Sequence, residues 1–381
     1  VTRIGVVTGS YPRFAGDFAG SFVAEHVAWM RGAGLEVEVI AAGPGPGDDD
    51  DAVRVPGRGL FYDGGAPEAL DRGGAAWLRA ARFTADLARE VRRRAHAWDA
   101  IVAHWLVPGA LCAMTAAPDL PLLAIAHSGD VHTLARLRAL RAFGRLVARR
   151  RARLSFVTRD LRDRFLAAGN ADLAAACQVC PMGIDVARFR AAPPGRTAPP
   201  TVLFLGRLVP IKGVATLIDA AAAWRSGAHL VIAGAGPDDV ALRRRAVAAA
   251  ARVSFTGEVR GAARDALLST ADVVALPSVR LATGRAEGLP LVALEAMAAR
   301  AALVVSDSGG LAELPAAAVT RVPSGDARAL AGAIDALLAD PTRRADQIAA
   351  ADALVAAHDW ARIGPRLNPV PQVHSGVRGA A

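Results

Sequence analysis

A chain of 381 residues with a formal net charge of +9 is long enough for two domains with substantial cores. No apolar run reaches the roughly 18 residues of a membrane-crossing helix; the best stretch, 103–126, is broken by His104, Pro108, Pro118, Asp119 and Pro121. No basic flank precedes an apolar core at the N-terminus, so no signal peptide is expected and the cytoplasm is the expected location. The basic excess is almost all arginine in an alanine-rich chain and does not point to nucleic acid; Lys212 is the only lysine, which makes its position informative.

In chain order, Arg3 to Thr8 reads as an apolar strand, followed by a loop to Ser21 that carries Gly16 and Gly20. Phe22 to Gly32 reads as a helix and Leu35 to Ala41 as the next strand. Asp48 to Asp51 is a solvated charge run, too loose to hold a cation well. A helix is expected over 75–94, and buried strands over 99–103, 122–126 and 154–157. Cys177-Gln-Val-Cys180 is a lone C-x-x-C on a strand-like run, where residues three apart face opposite sides; no second Cys/His pair stands near it, so no metal site is expected.

Ala191 to Pro200 is the clearest linker, and the pattern then restarts. Strands are expected over 201–205, 229–233, 253–256, 273–276 and 303–306, with helices over 213–223, 327–338 and 345–357. Alternating strands and helices predict parallel sheets covered on both faces. The fold class is therefore α/β, with an N-terminal doubly wound domain over 1–192, a linker over 193–200 and a second such domain over 201–358. Ligands of such sheets bind at the carboxyl ends of the strands, so the cleft between the domains is the expected site. The tail, 359–381, is rich in Pro and Gly and reads as loose, with the option of packing back on the first domain.

The densest chemistry lies in 284–297, G-R-A-E-G-L-P-L-V-A-L-E-A-M. Pro290 suits the start of a helix, which puts Glu287 in the preceding loop and Glu295 in the second turn. Free amides around Gly288 and Leu289 would then point out of the helix start and favour anions and polar oxygens. A carboxylate beside such donors can grip sugar hydroxyls; an amphipathic helix with an acidic start explains the same residues without chemistry. Gly206-Arg207-Leu-Val-Pro-Ile-Lys212-Gly213 follows a strand and opens a helix, which sets a guanidinium and the only ammonium beside a helix start, a pairing suited to phosphate oxygens. His127, in His-Ser-Gly-Asp130, follows the strand at 122–126, where ligands bind.

These segments, in this order, resemble the retaining GT-B glycosyltransferases of family 4, over roughly residues 3–360. E-G-L-P-x-x-x-L-E-A-M-A is similar to the family's signature, which implies that Glu287 contacts the donor sugar and Glu295 the ribose. The resemblance implies that Arg207 and Lys212 bind the donor diphosphate and that His127 contacts the donor. His104-Trp105 with Pro108-Gly109 is similar to the family's H-x-H-W and P-x-G stretch, with Val102 in place of the first His. Gly16 and Gly20 stand where the family carries a Gly pair that lets the donor approach the backbone. Gly234 would sit near the nucleobase, and Gly309 and Gly310 would line the donor cleft. Pro181 to Asp185 with Phe189 matches a structural turn. The tail departs from the pattern: it does not read as the helix that crosses back in the family.

The expectation is thus metal-free transfer of a hexose, with retention, from a UDP- or GDP-linked sugar to an acceptor hydroxyl, without a further cofactor. The catalytic candidates are His127, Glu287, Arg207 and Lys212. Gly16, Gly20, Gly234, Gly288, Leu289, Pro290 and Glu295 complete the donor site. A GT-B nucleotide-sugar 2-epimerase and a non-catalytic nucleotide-sugar binder are the alternatives. Arg136 to Arg153 holds eight arginines and no acid, with Arg138, Arg141, Arg145 and Arg149 on one helical face and Leu137, Leu140, Phe143 and Val147 on the other. It reads as a basic amphipathic helix suited to an anionic membrane, or as a solvated outer face. The resemblance favours peripheral attachment at the inner membrane face and a sugar or lipid-linked acceptor.

Overall fold

The computed structural model describes residues 1–14, 16–43, 51–57, 59–62, 66–71, 73–191 and 199–370. Most of the Asp48–Asp51 run, most of the expected linker and the last eleven residues lie outside these. Two parallel sheets form. The first has seven strands, β1 (Arg3–Thr8), β2 (Glu36–Gly43), β3 (Ala52–Pro56), β4 (Ala100–His104), β5 (Leu122–Ala126), β6 (Arg153–Phe156) and β7 (Cys177–Val179), in the order β3-β2-β1-β4-β5-β6-β7. The second has six, β8 (Thr201–Leu205), β9 (His229–Ala233), β10 (Val253–Gly257), β11 (Val273–Leu276), β12 (Ala302–Ser306) and β13 (Thr320–Val322), in the order β10-β9-β8-β11-β12-β13.

Central strands such as β4 and β5 are buried at every residue, as expected where helices cover both faces of a sheet. Strand order reverses between β1 and β4 in one sheet and between β8 and β11 in the other. These are the points where loops part and leave a crevice at the carboxyl ends. The loops after β1, β4, β5, β8, β9 and β11 carry the residues singled out above.

The chain crosses between the two cores twice, side by side. Cys180 and Met182 belong to the first core, whereas Ile184, Val186 and Phe189 already pack into the second, ahead of the expected linker. On the way back, Val355 is still in the second core and Trp360 is in the first. The two passes are hydrogen-bonded, Ile184 N to His358 O at 2.9 Å and Trp360 N to Ile184 O at 3.3 Å. Of the two readings of the tail, the described part takes the packing back on the first domain, and the loose reading is corrected. Trp360–Ile363 is a helical turn and Gly364–Leu367 a 3-10 turn; Trp360, Ile363 and Leu367 are buried in the first core. Their apolar spacing outweighs the local Pro and Gly content.

The arginine-rich segment also differs from its expected form. The helix is Leu140–Arg150, and Arg138 precedes it in a left-handed turn, φ 54°, so the expected single face is interrupted. Leu140, Phe143 and Val147 are buried and Arg141, Arg145 and Arg149 exposed, but Leu137 is exposed as well.

Candidate functional site

A cleft of about 1210 Å³ lies between the carboxyl ends of the two sheets. Gly16, Gly20, His127, Arg207, Lys212, Gly234, Glu287, Gly288, Leu289, Pro290 and Glu295 all line it. Their sequence separation is bridged by the topology alone: each follows, or caps a helix that follows, a strand near a switch point.

On the second domain, Pro290 is the N-cap of helix Leu291–Ala298, which puts Glu287 in the loop before it and Glu295 in its second turn. Lys212 Nζ meets Glu287 Oε1 at 2.5 Å, both side chains being largely shielded. The Ser278 hydroxyl holds the other Glu287 oxygen, and Ser306 in turn holds the Ser278 carbonyl. Glu295 is 7% exposed and pairs through Oε2 with Arg264, a residue sequence reading did not single out. Arg264 sits on a different helix, Gly261–Thr270, and no local pattern in the sequence joins the two. Each carboxylate thus rests on a cation.

Backbones approach closely here, and the glycines mark where. A Cβ on Gly288 would stand 2.8 Å from the His127 carbonyl across the domain boundary, and one on Gly234 would stand 1.8 Å from the Gly206 carbonyl. Gly309 and Gly310, expected on the cleft wall, are not among its lining residues; a Cβ on Gly309 would strike the Glu287 carbonyl at 2.2 Å and one on Gly310 would strike Gly288. They form the support behind the Glu287–Gly288 turn.

On the first domain, the buried Asp130 carboxylate organises the wall. Its Oδ1 accepts from the amides of His127, Ser128 and Val131 at 3.0–3.2 Å, and its Oδ2 from Leu106 N at 2.7 Å. Burial raises its pKa against these four bonds. The turn after β5 is thereby tied to the turn after β4, and His127 is held against Phe22 and Trp105, with ring centroids 4.8 and 5.0 Å away. Behind it, His104 is wholly buried. Burial first, then the His26 imidazole, lowers His127 to about 3.

Glu25, on helix Ser21–Gly32, also lines the cleft and was not singled out. It accepts a hydrogen bond from the Trp360 indole at 3.2 Å, and burial raises its pKa. The domains meet through further polar contacts: Ser128 Oγ donates to the Ala286 carbonyl at 2.7 Å, and the two Glu313 oxygens accept from Arg159 N and Asp160 N at 2.9 Å each.

Comparison with known proteins places this geometry in context. The model described as "Glycosyl transferases group 1" matches residues 185–353, and "Glycosyl transferase 4-like domain" matches 19–183. A GDP-mannose-dependent alpha-(1-6)-phosphatidylinositol monomannoside mannosyltransferase of Mycobacterium tuberculosis is 38% identical over 175 residues, 42% of this chain and 45% of the relative. A phosphatidyl-myo-inositol mannosyltransferase of Mycolicibacterium smegmatis is 34% identical over 210 residues, 52% of each chain. The matches span about half the length of these curated relatives. Among solved structures, Anabaena HepE with UDP and glucose superposes with a TM-score of 0.70 at 19% identity, over 96% of this chain and 98% of that one. A Thermosynechococcus elongatus sucrose-phosphate synthase does so at 0.72 and 20%, over 96% and 97%. At such identities the likeness is one of fold.

Proposed function

From a chain that belongs to the group 1 glycosyl transferases of GT-B fold, we propose an enzyme that moves a hexosyl group from a nucleoside-diphospho-sugar to an acceptor hydroxyl, with retention and without a metal ion. The observation that carries the reading is the Lys212–Glu287 pair at 2.5 Å on one wall of a cleft whose opposite wall presents His127. A donor diphosphate fits beside Lys212 and Arg207, where two cations stabilise the charge that develops on the leaving group. Displacement of Glu287 from Lys212 frees its carboxylate for sugar hydroxyls. Glu295 is suited to the ribose through its oxygen not held by Arg264. The leaving phosphate takes the acceptor proton in a front-face attack, and His127 positions the sugar.

The relatives are named for GDP-mannose and phosphatidylinositol lipids, so GDP-mannose and an inositol glycolipid are the first pair to test. A lipid acceptor agrees with helix Leu140–Arg150, whose exposed arginines suit reversible attachment to an anionic inner membrane face. Among the described residues no helix is long and apolar enough to cross a membrane.

Thermal-shift titration with GDP-mannose, UDP-glucose and the free diphosphates, followed by transfer assays with NMR of the product anomer, tests the reading. Stabilisation by one donor and transfer with retention are expected. Donor turnover to an epimer without acceptor would replace the reading with a 2-epimerase, and binding without turnover on any acceptor would replace it with a sensor.

A further inference from the structure

Beyond the donor residues, the cleft extends along the first domain as an apolar lobe. Its total volume of about 1210 Å³ is larger than that of ordinary small-molecule sites, about 300–1,000 Å³. Helix Ala66–Asp71, helix Gly74–Arg94, the helical turn Leu106–Ala110 and helix Gly129–Arg136 pack on one another and, with the loop after β3, supply the wall. It carries Phe61, Leu70, Trp77, Phe83, Leu111 and Leu134, with the centroids of the Phe61 and Phe83 rings 4.7 Å apart.

Two of these elements start at the wall that faces Lys212 and Glu287. Trp105 immediately precedes the turn Leu106–Ala110, His127 stands just ahead of helix Gly129–Arg136, and their ring centroids are 5.0 Å apart. The lobe also reaches solvent. Leu137 lines the cleft yet is 52% exposed, and Ala81 lines it and is exposed as well. Leu78, next to Trp77 in the chain, is 75% exposed. Arg79, Arg136 and Arg138 adjoin these two leucines in the chain and are themselves exposed, which suits an anionic amphiphile.

The wall favours a hydrocarbon chain over a sugar. A buried sugar hydroxyl needs a hydrogen-bond partner, and the hydroxyls of the wall have given their hydrogens to the backbone: Tyr62 to the Ala42 carbonyl at 2.7 Å, Thr84 to Ala80 at 2.7 Å and Thr133 to Gly129 at 2.6 Å. A chain needs no partner and gains by leaving water.

We propose that this lobe holds the hydrocarbon chain of an anionic lipid acceptor, admitted past Ala81 and Leu137, with the head group at His127 and the chain against Phe61, Trp77 and Leu111. The acceptor is then recognised by its chain inside the protein as well as by its head group. That the occupant is the acceptor rests on the glycosyltransferase reading; the affinity for a chain does not.

Calorimetric titration of the full-length protein with dihexanoyl phosphatidylinositol, kept monomeric and free of vesicles, against glycerophosphoinositol, the same head group without chains, tests this. The chain-bearing probe should bind about 50-fold more tightly or better, since each buried methylene is worth about fourfold, and with a more negative heat-capacity change. Ala81→Trp, which fills the lobe, and Leu137→Asp, which sets a charge at its opening, should each remove most of that gain; both positions are exposed, and circular dichroism verifies the fold. Equal affinity for the two probes would overturn the proposal, and so would a chain effect that survives both variants, since the chain would then lie elsewhere. A chain-dependent complex that accepts no hexose from any donor would uphold the lobe and overturn the functional reading. Transfer to glycerophosphoinositol with the same kcat/KM as to the lipid would uphold the enzyme and overturn the lobe.

Discussion

Lys212 and Glu287 neutralise one another, and under the proposed function each has a second partner, the donor, to lose. Lys212→Ala should leave the fold intact and lower kcat/KM about 10- to 150-fold, because a charge-assisted bond to a shielded phosphate contributes about 1.5–3 kcal/mol. Steady-state kinetics beside circular dichroism would show it, and unchanged kinetics would remove the phosphate role. Glu295→Gln should weaken binding of the free nucleoside diphosphate and of the full donor alike, since the ribose is common to both. Glu287→Gln should spare the diphosphate and weaken the sugar nucleotide. Calorimetric titration with both ligands separates the two; identical profiles would mean the roles are not divided in this way. The buried histidines make a third test. Their ordinary value is 6.5, whereas His26 and His127 in the fold lie at about 4 and 3. The unfolded chain therefore binds protons first as the pH falls. The stability these groups contribute is complete above about pH 6.5 and is lost as the pH falls from there to about 4 for His26 and about 3 for His127, at up to about 1.4 kcal/mol per pH unit for each histidine. Glu25 and Asp130, both raised by burial, act in the opposite sense. Urea midpoints at several pH values, for the unaltered protein and for His26→Phe, would isolate the histidine share; a parallel pH dependence in the two would contradict it. Glu287, Glu295, Arg207, Lys212 and His127 were legible in the sequence because a motif or a unique residue marked each. Arg264 and Glu25 were not, because their partners are distant in sequence and only folding brings them together.

Helix Arg159–Ala167 has two caps, and they belong to different domains. Thr158 accepts from Leu161 N at 3.3 Å, and Glu313, from the second domain, takes the amides of Arg159 and Asp160. Charged acceptors at a helix start are favoured by both the unpaired amides and the helix dipole. Glu313→Ala should therefore cost about 1 kcal/mol or more, chiefly as loss of domain closure, and small-angle scattering of the ligand-free variant should show a larger radius of gyration. Equal radii would mean that the contact does not hold the domains. Helix Leu140–Arg150 gives an element-scale test of membrane attachment: co-sedimentation with anionic but not neutral vesicles at low salt, lost when Arg141, Arg145 and Arg149 become Gln. No association with anionic vesicles would point to a soluble acceptor. Interior elements were legible from periodicity, and β5, β8, β9 and β11 lie where the pattern put them. Of the edge strands, β7 and β10 were read as well, but β3 and β13 were not. In β3 the chain reads A-V-R-V-P, and a charged residue suggests a surface, yet Arg54 is 4% exposed and donates to the carbonyls of Tyr11, Ala42 and Pro12. A guanidinium that satisfies loop carbonyls is invisible until the loop is in place.

At the scale of the whole molecule, the two-sheet architecture follows from the restart of the strand–helix pattern after residue 200, and the facing clefts from the switch points. The return of the chain to its first domain is marked only by the spacing of Trp360, Ile363 and Leu367, which two turns interrupted by Gly364 and Pro365 make too short to read as a helix in the sequence. It is nonetheless a principal tie. Trp360 fills the space over Gly183, where a Cβ would lie 2.6 Å from its ring, and stacks on His26. Trp360→Ala should cost about 3–5 kcal/mol and lower Tm even in a variant with intact donor residues; a Tm within 1–2 °C of the original, on the order of a surface substitution, would show that the crossing is not structural.

The paired crossing at Ile184 and Asp359 has a mechanical meaning. One strand between two bodies is a swivel, free to turn in every direction. Two strands laid side by side and bonded to each other form a strip, stiff against sideways rocking and compliant mainly to torsion and to bending across its flat face. The two halves of this protein are therefore connected as a lid is to a box. Across from the strip, contacts between the halves such as the Arg260 guanidinium 4.8 Å from the centre of the Phe14 ring part when the lid lifts, whereas Trp360, beside the strip, stays on the first half.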